Sequence, residues 1–547
     1  MILIGLAPQL FSQTSNPNIE VYIKVWGFLK YHHPTVATGK INWDSVFMAH
    51  INKARYARSI TQYNDEIEAT INAAGIFKKV NPVKLPADVF TANHNLKWLY
   101  TSKLLSKKNR ERLQVIFDNR NQGDNRFIKF NNYSDYSGEN QYENMSRPTT
   151  EYRLLFLARF WNAINYFDPY KYLIGEDWDI ILGRFIPRIV HVTDVKSYYK
   201  TLSRLSKSLN DGHSSLTLNY RSDTIFASIY GRLTAPFYCK IIDDRLLIKK
   251  LANDSLCKLG GIIKGDEIFA VENKPVELWL QPRRDFISSS NKNSENEVLS
   301  WFALDNNATN VNLTIKRGDR FFKTMLKRMP VKQKNWNDII GHSENNTGYE
   351  TIGKTGLLIY ASQITDKNLD TLRKMIMKSK AVIFDVRNYP GQDAFYNILG
   401  ILLPEPKIIN YNTFFMTDNP GIFKWKPSPK IGDVNPAFYK GKVVILVDER
   451  SQSQGEYSAM VLQTIPNSIT IGSQTAGADG VVSYIPMGGK LAISYSGYGI
   501  YYPNKAQTQR VGVKIDIPIK KTVASVIKDQ DLILQEALKY LKINGID

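Results

Sequence analysis

Val443-Val444-Ile445-Leu446-Val447, followed closely by Ser451-Gln452-Ser453-Gln454-Gly455-Glu456, is the stretch on which the reading of this chain turns. The apolar run fits a buried strand, and Tyr457, Ala459, Met460, Val461 and Leu462 continue as an apolar helix, so the serines stand where strand meets helix. A helix start offers unpaired N–H groups and partial positive charge, both able to hold the oxyanion of an acyl-transfer intermediate. Ser453 and Glu456 also stand in Ser-x-x-Glu register, so a capping box is the alternative reading.

Working outward, GLLIYAS (356–362), AVIFDVR (381–387) and SITIGS (468–473) are further short strands of the buried type. Between them ITDKNLDTLRKMIMK and GEYSAMVLQTI are helical, which predicts a largely parallel α/β core over 350–547. Upstream, PFYCKII, RLLIKKL, EIFAVE and VNLTIKR show period-two character and surround the decapeptide Leu259 to Ile268. That decapeptide resembles the Gly-(apolar)-x-x-Gly-Asp-x-Ile turn and strand of PDZ domains. The resemblance implies a module over 230–332 that takes an extended peptide at a sheet edge.

The first half carries an internal repeat. Trp26, Tyr31, Pro34, Trp43 and Asp44 recur as Trp161, Tyr166, Pro169, Trp178 and Asp179, each displaced by 135 residues. Two related helical units are expected, over 15–113 and 151–225. Residues 114–150, rich in Asn, Asp, Gly, Ser and Tyr, read as irregular connection rather than core. Residues 1–14 read as the remnant of a secretory signal lacking its basic start, which points to a periplasmic or secreted location.

At 547 residues, with 43% apolar, 12% aromatic and 22% charged residues, the composition is that of a soluble protein of three or four domains. The 71 Lys and Arg against 51 Asp and Glu leave +20, yet the densest basic run, Lys103 to Arg112, reads as a solvated helix face. No zinc-finger, helix-turn-helix or RNP signature accompanies it, so no nucleic-acid partner is expected. No membrane span is expected, since no segment approaches 18 uninterrupted apolar residues. Cys239 and Cys257 are too few for a cysteine-rich metal site, and a bridge between them stays open.

Other segments can do chemistry with Ser453. Phe384 to Gly391 ends a strand in a Pro-Gly turn, where a glycine lets backbone approach a ligand and donate an N–H, so Gly391 is an oxyanion candidate. A serine nucleophile needs a base, and of the seven histidines only His213 sits in a tight, glycine-containing turn, Asn210-Asp211-Gly212-His213. Asp211 reads as a turn residue, Asp385 and Arg387 as fixing the oxyanion turn, and Asp479 as a candidate acid.

The order Asp-Gly-His, PDZ-like segment, Asp-x-Arg-Asn-x-Pro-Gly, Ser-x-Ser-x-x-Glu and Gly-x-x-Thr-x-Gly resembles the tail-specific (C-terminal processing, S41-like) serine peptidases and their tricorn-core relatives, over residues 150–540. The resemblance implies a multidomain α+β chain with a crotonase/ClpP-like α/β peptidase core, cleaving peptides or unfolded proteins. No cofactor is expected, and the sequence leaves open whether the chain forms a homo-oligomer. It implies Ser453 as nucleophile and the N–H groups of Gly391 and Gln454 as oxyanion donors. The processing branch places a base lysine where this chain has Ala478, so the tricorn-like branch, with His213 as base, fits better. That branch also carries a glutamate three residues before a Gly-Val-x-x-Asp-Ile strand. Here Gly512-Val513-Lys514-Ile515-Asp516-Ile517 matches, but the acid position is Gln509, which can orient an imidazole without stabilising imidazolium as a carboxylate would. A weakly active or inactive peptidase-fold protein that binds peptides is the alternative.

Overall fold

The computed structural model describes residues 16–81, 84–335 and 347–543, so the signal-like segment lies outside the described residues. Helix α1 (Pro17–His32) starts where the Asn16 side chain accepts from Ile19 N and Pro17 needs no donor partner. Helix α2 (Trp43–Arg55) is capped by Asn42, and α3 (Ile60–Ala73) and α4 (Lys107–Asp118) complete this region. Helices α5 (Thr150–Phe167), α6 (Trp178–Val190) and α7 (Val195–Lys207) follow.

The repeated tryptophans make the same bonds in both places. Trp26 Nε1 donates to Trp43 O and Trp43 Nε1 to Trp26 O, both at 3.0 Å. Trp161 and Trp178 exchange the same pair at 2.8 and 2.9 Å. Buried indole N–H groups need acceptors, and here each helix supplies one to the other. Charges cross between the units in matching fashion: Lys24 pairs with Asp179 at 2.8 Å, and Arg159 with Asp44.

The 114–150 segment, expected as irregular connection, is largely exposed, but a few of its residues are buried against distant parts of the chain. Ser134 donates from its N to Ser483 Oγ at 2.8 Å and from its Oγ to Gly497 O at 2.9 Å, while the Tyr136 and Tyr495 hydroxyls meet at 2.8 Å. Buried Glu139 accepts from Lys30. These few buried groups find partners in distant parts of the chain.

After α7 comes strand β1 (Leu216–Leu218). The next module is an antiparallel sheet of β2 (Phe237–Ile242), β3 (Arg245–Leu251), β4 (Glu267–Val271), β5 (Asn310–Arg317) and β6 (Arg320–Lys327), in spatial order β6-β5-β4-β3-β2. Helix α8 (Lys292–Phe302) packs on β2. Cys239 and Cys257 within this module are both free thiols.

The second half holds β7 (Tyr349–Ile352), β8 (Gly356–Tyr360), β9 (Ala381–Asp385), β10 (Lys442–Val447), β11 (Ser468–Gly472), β12 (Val482–Pro486), β13 (Leu491–Ser496) and β14 (Ile517–Pro518). Strands β7-β8-β9-β10-β11-β14 form one sheet, parallel except for β7. Its helices include α9 (Asp366–Lys378), α10 (Gln392–Leu399), α11 (Gln454–Leu462) and α12 (Leu532–Ile543). Along β10, Val443, Ile445 and Val447 pack with Met460 of α11, whereas Val444 and Leu446 pack with Ile533 and Leu541 of α12. Both faces are covered, which is why the strand reads as an uninterrupted apolar run. Strand β1 pairs antiparallel with β13, Leu216 opposite Ile493 and Leu218 opposite Leu491, stitching the 151–225 unit to the second half. Among the described residues no helix is long and apolar enough to cross a membrane.

Candidate active site

Strand β10 ends at Val447, and the chain turns through Asp448–Ser453 before α11 begins at Gln454. Ser453 sits at φ 53°, ψ −117°, a conformation that L side chains rarely adopt and that costs about 1–3 kcal/mol. Such a sharp strand-to-helix turn holds a nucleophile's side chain out from the backbone. The Ser453 hydroxyl makes no cap bond, so the capping-box reading is corrected. Ser453 N–H donates to Ala478 O at 2.8 Å. Glu456 instead accepts from Thr475 Oγ1 at 2.5 Å and from Gly477 N and Ala478 N at 2.8 Å. Burial pushes its pKa up to about 7 against those donors. Ser451 is a strut: its Oγ donates to Val386 O at 3.1 Å, and its carbonyl accepts from Ala476 N at 2.9 Å.

Val386, at the end of β9, leads to the second helix start. Arg387 clasps Asp385, with Nε to Oδ1 at 2.9 Å and Nη2 to Oδ2 at 2.6 Å, and reaches Asp531 at 2.8 Å. This brace precedes Gly391, the N-cap of α10, beside which the nearest heavy atom a Cβ would meet is Ile364 O at 3.4 Å. Gly391 adopts φ −68°, so its glycine supplies space rather than a special dihedral. Gly391 and Gln454 thus each offer an N–H at a helix start. Neither N–H donates to any of the described residues.

His213 is brought to this corner by the β1–β13 pairing. Its carbonyl accepts from Ser494 Oγ at 2.7 Å, and Gly212 N donates to Ser290 Oγ at 2.8 Å. Gln452, next to the serine, donates from Nε2 to Gly212 O at 3.2 Å, so the two turns touch. A Cβ on Gly212 would lie 2.9 Å from the Ala478 Cβ. The histidine turn therefore fills the space that a longer side chain at 478 would need. His213 Nδ1 lies 3.0 Å from Ser496 Oγ. Burial lowers the His213 pKa, opposed by the charge of Asp211. Among the described residues no hydrogen bond joins Ser453 Oγ to His213; in substrate-free sites such contacts are often long.

Gln509 does not meet the imidazole. Its Nε2 donates to Asp211 Oδ1 at 3.0 Å, and Asp211 also accepts from Ser496 Oγ at 3.0 Å, Ser496 N at 2.7 Å and His213 N at 3.0 Å. Asp211 and Ser496 are the hydrogen-bond partners of His213 that sequence reasoning did not assign to the site. Asp211 carried a signal, its place two residues before the histidine; Ser496 carried none, being one strand serine 283 residues away. Asp479 is fully buried, one oxygen bonded to Gly480 N at 2.8 Å, and burial raises its pKa well above the usual range. Burial thus disfavours its charged form, which makes it a poor support for an imidazolium.

A buried ionic cluster backs the serine turn. Asp448 accepts from Arg450 and Lys521, which hold it ionised well below the usual carboxylate range although burial opposes them. Glu449 accepts from Lys521 at 2.8 Å and from Lys240 of β2 at 2.5 Å, and Lys240 also pairs with Glu297 of α8.

Residues 354–519 match the model of peptidase family S41. The family is one of serine-type peptidases, hydrolases of the peptide bond. Among solved structures, mature CPAF complexed with lactacystin aligns with a TM-score of 0.55 at 14% identity, covering 72% of this chain and 98% of that one. Mature CPAF alone gives 0.53 at 15% identity, over 72% and 96%. At these identities the likeness is one of fold, and it extends well beyond the S41 segment into the first half of the chain. No curated protein matches this chain.

Proposed function

We propose that this S41 protein is a serine endopeptidase of tricorn-like type in which Ser453 is the nucleophile and His213 the general base. The observation that carries the reading is the strained Ser453 elbow, with the Asp211-Gly212-His213 turn hydrogen-bonded to its neighbour Gln452. His213 Nε2 takes the Ser453 proton, Oγ adds to a peptide carbonyl, and the Gly391 and Gln454 N–H groups hold the oxyanion. His213 then protonates the leaving amine, and water clears the acyl-enzyme. The five-stranded module over 230–332 acts as a PDZ-like clamp that adds the substrate chain to a sheet edge. The two helical units are duplicated copies, supported by their matching tryptophan bonds. The apolar Met1–Gln13 segment supports export to the periplasm or beyond, which fractionation of the full chain tests.

A fluorophosphonate probe tests the chemistry. Wild type is expected to become labelled at Ser453, and Ser453→Ala and His213→Ala to lose labelling. A folded wild type that resists the probe, and that cleaves no peptide in a library digest, would favour the binding-protein reading instead.

A further inference from the structure

The inference rests on the reading of His213 as base and concerns what replaces the missing acid. We infer that Asp211, acting through the Ser496 hydroxyl, is the anionic support of His213, and that Gln509 is the residue this relocated acid requires. Asp211 and Ser496 are positioning residues, since they act through the imidazole.

Hydrogen-bond inventory fixes the direction of the relay. Ser496 Oγ has one proton, and its partner Asp211 Oδ1, at 3.0 Å, is a carboxylate oxygen that already takes a bond from Gln509. The hydroxyl therefore donates to Asp211 and accepts from His213 Nδ1, at 3.0 Å. The proton sits on Nδ1, and Nε2 keeps the lone pair that a general base needs. When Nε2 receives the Ser453 proton, the imidazolium faces the Asp211 charge one hydroxyl away, as a triad carboxylate faces it directly.

The substitution at 509 follows from the same geometry. Gln509 Nε2 lies 3.0 Å from Asp211 Oδ1, so a glutamate there would set two carboxylates against each other, and one would have to bind a proton. An amide donates instead, adding a fourth hydrogen bond to Asp211 beside those from Ser496 N, Ser496 Oγ and His213 N. Other groups near the relay leave Asp211 as the charge that matters. Asp168, which ends α5, has its pKa pushed to about 8 by burial and is neutral at pH 7, and Tyr170 is neutral there as well. Asp211 is the one charge resolved as acting on His213 among the described residues.

The test is the pH profile of fluorophosphonate labelling at Ser453 for wild type, Asp211→Asn, Ser496→Ala and Gln509→Glu, each checked for folding by circular dichroism and melting. Asp211→Asn is expected to slow labelling by at least about a hundredfold and to move the His213 limb to lower pH, since the imidazolium loses its anion. Ser496→Ala keeps Asp211 in place and should shift the limb in the same direction. Gln509→Glu, which adds a carboxylate, should not speed labelling at neutral pH. A merely structural Asp211 would change melting but leave the limb where it is. Folded Asp211→Asn and Ser496→Ala proteins whose limbs coincide with wild type would overturn the inference. Should wild type label normally and His213→Ala alone abolish it, the peptidase reading would stand without the relay; should wild type fail to label, the reading itself would fall.

Discussion

Gly27 and Asn162 hold corresponding places in the two helical units and touch: a Cβ on Gly27 would lie 1.9 Å from Asn162 Cγ. Their separation, 135 positions, is the offset between Trp26 and Trp161. Asn162 Nδ2 uses the gap to donate to Ile23 O at 3.1 Å, so α5 bonds to the backbone of α1 where the glycine leaves it bare.

Gly27→Ala is therefore expected to destabilise the fold by about 1–3 kcal/mol through overpacking, despite the better helix propensity of alanine. Denaturant unfolding measures it. Asn162→Ala should remove most of that penalty in the double variant, because the clash is with its side chain; a strictly additive pair would refute the contact as its cause.

Ser453 stores strain at φ 53°. Both Ser453→Ala and Ser453→Gly remove the nucleophile, but only glycine relaxes the backbone. The glycine variant should be the more stable by about 1 kcal/mol, after its greater freedom in the unfolded chain is set against the relief. Equal melting temperatures would mean that the turn is not strained.

The parallel core, the Ser453 turn and the Asp-Gly-His turn were legible because each depends on contiguous residues: an apolar run covered on both faces, a serine at its end, a glycine that admits close packing. What stayed hidden was set by pairing across hundreds of residues. Nothing in Ser134 or Tyr136 announces that Ser483 and Tyr495 await them, so these two anchors of an otherwise irregular segment went unseen. Likewise Gln509 looked like a lost acid until β1 and β13 put Asp211 beside it. The capping box failed for a related reason, since the Thr475–Ala478 loop offered Glu456 three donors that local sequence cannot foresee.

Glu456 should make stability fall as pH rises. Its carboxyl has an ordinary pKa in the unfolded chain and about 7 when folded, so the folded state binds the extra proton between those values. The contribution is fully present below about pH 4.5 and is lost as pH climbs to 7, by roughly 3 kcal/mol in all. Unfolding free energies of wild type and Glu456→Gln across pH 4.5–8 should diverge in slope by this amount. Parallel curves would place the ionisation elsewhere.

Ala478→Lys reinstates the residue type of a lysine-base site, and it should fail here. The Ala478 methyl is fully buried and would lie 2.9 Å from a Cβ on Gly212, so a lysine stem must displace the His213 turn. Expected are a loss of about 1–3 kcal/mol in stability and fluorophosphonate labelling slower by at least about tenfold, since the proposed base turn is moved from the serine turn it touches. Faster labelling in Ala478→Lys, retained on adding His213→Ala, would show that the lysine can serve and that the two bases are not mutually exclusive.

Lys240 joins the five-stranded module to the serine turn through Glu449, four residues before Ser453, while pairing with Glu297 of its own module. All three side chains are nearly buried, and the two acids hold the ammonium charged, its pKa raised despite burial. Removing it leaves Glu297 facing Glu449, to which Lys521 and the Ser473 hydroxyl still donate. Lys240→Met should therefore cost about 3–5 kcal/mol, the usual penalty for uncovering a buried charge, whereas Lys240→Met with Glu297→Gln should recover part of it. Because Glu449 sits in the turn that aims Ser453, the single variant should also slow labelling under conditions where it remains folded, and the double variant should recover both properties in part and together. Recovery of stability without recovery of labelling would separate the ionic bridge from the setting of the serine.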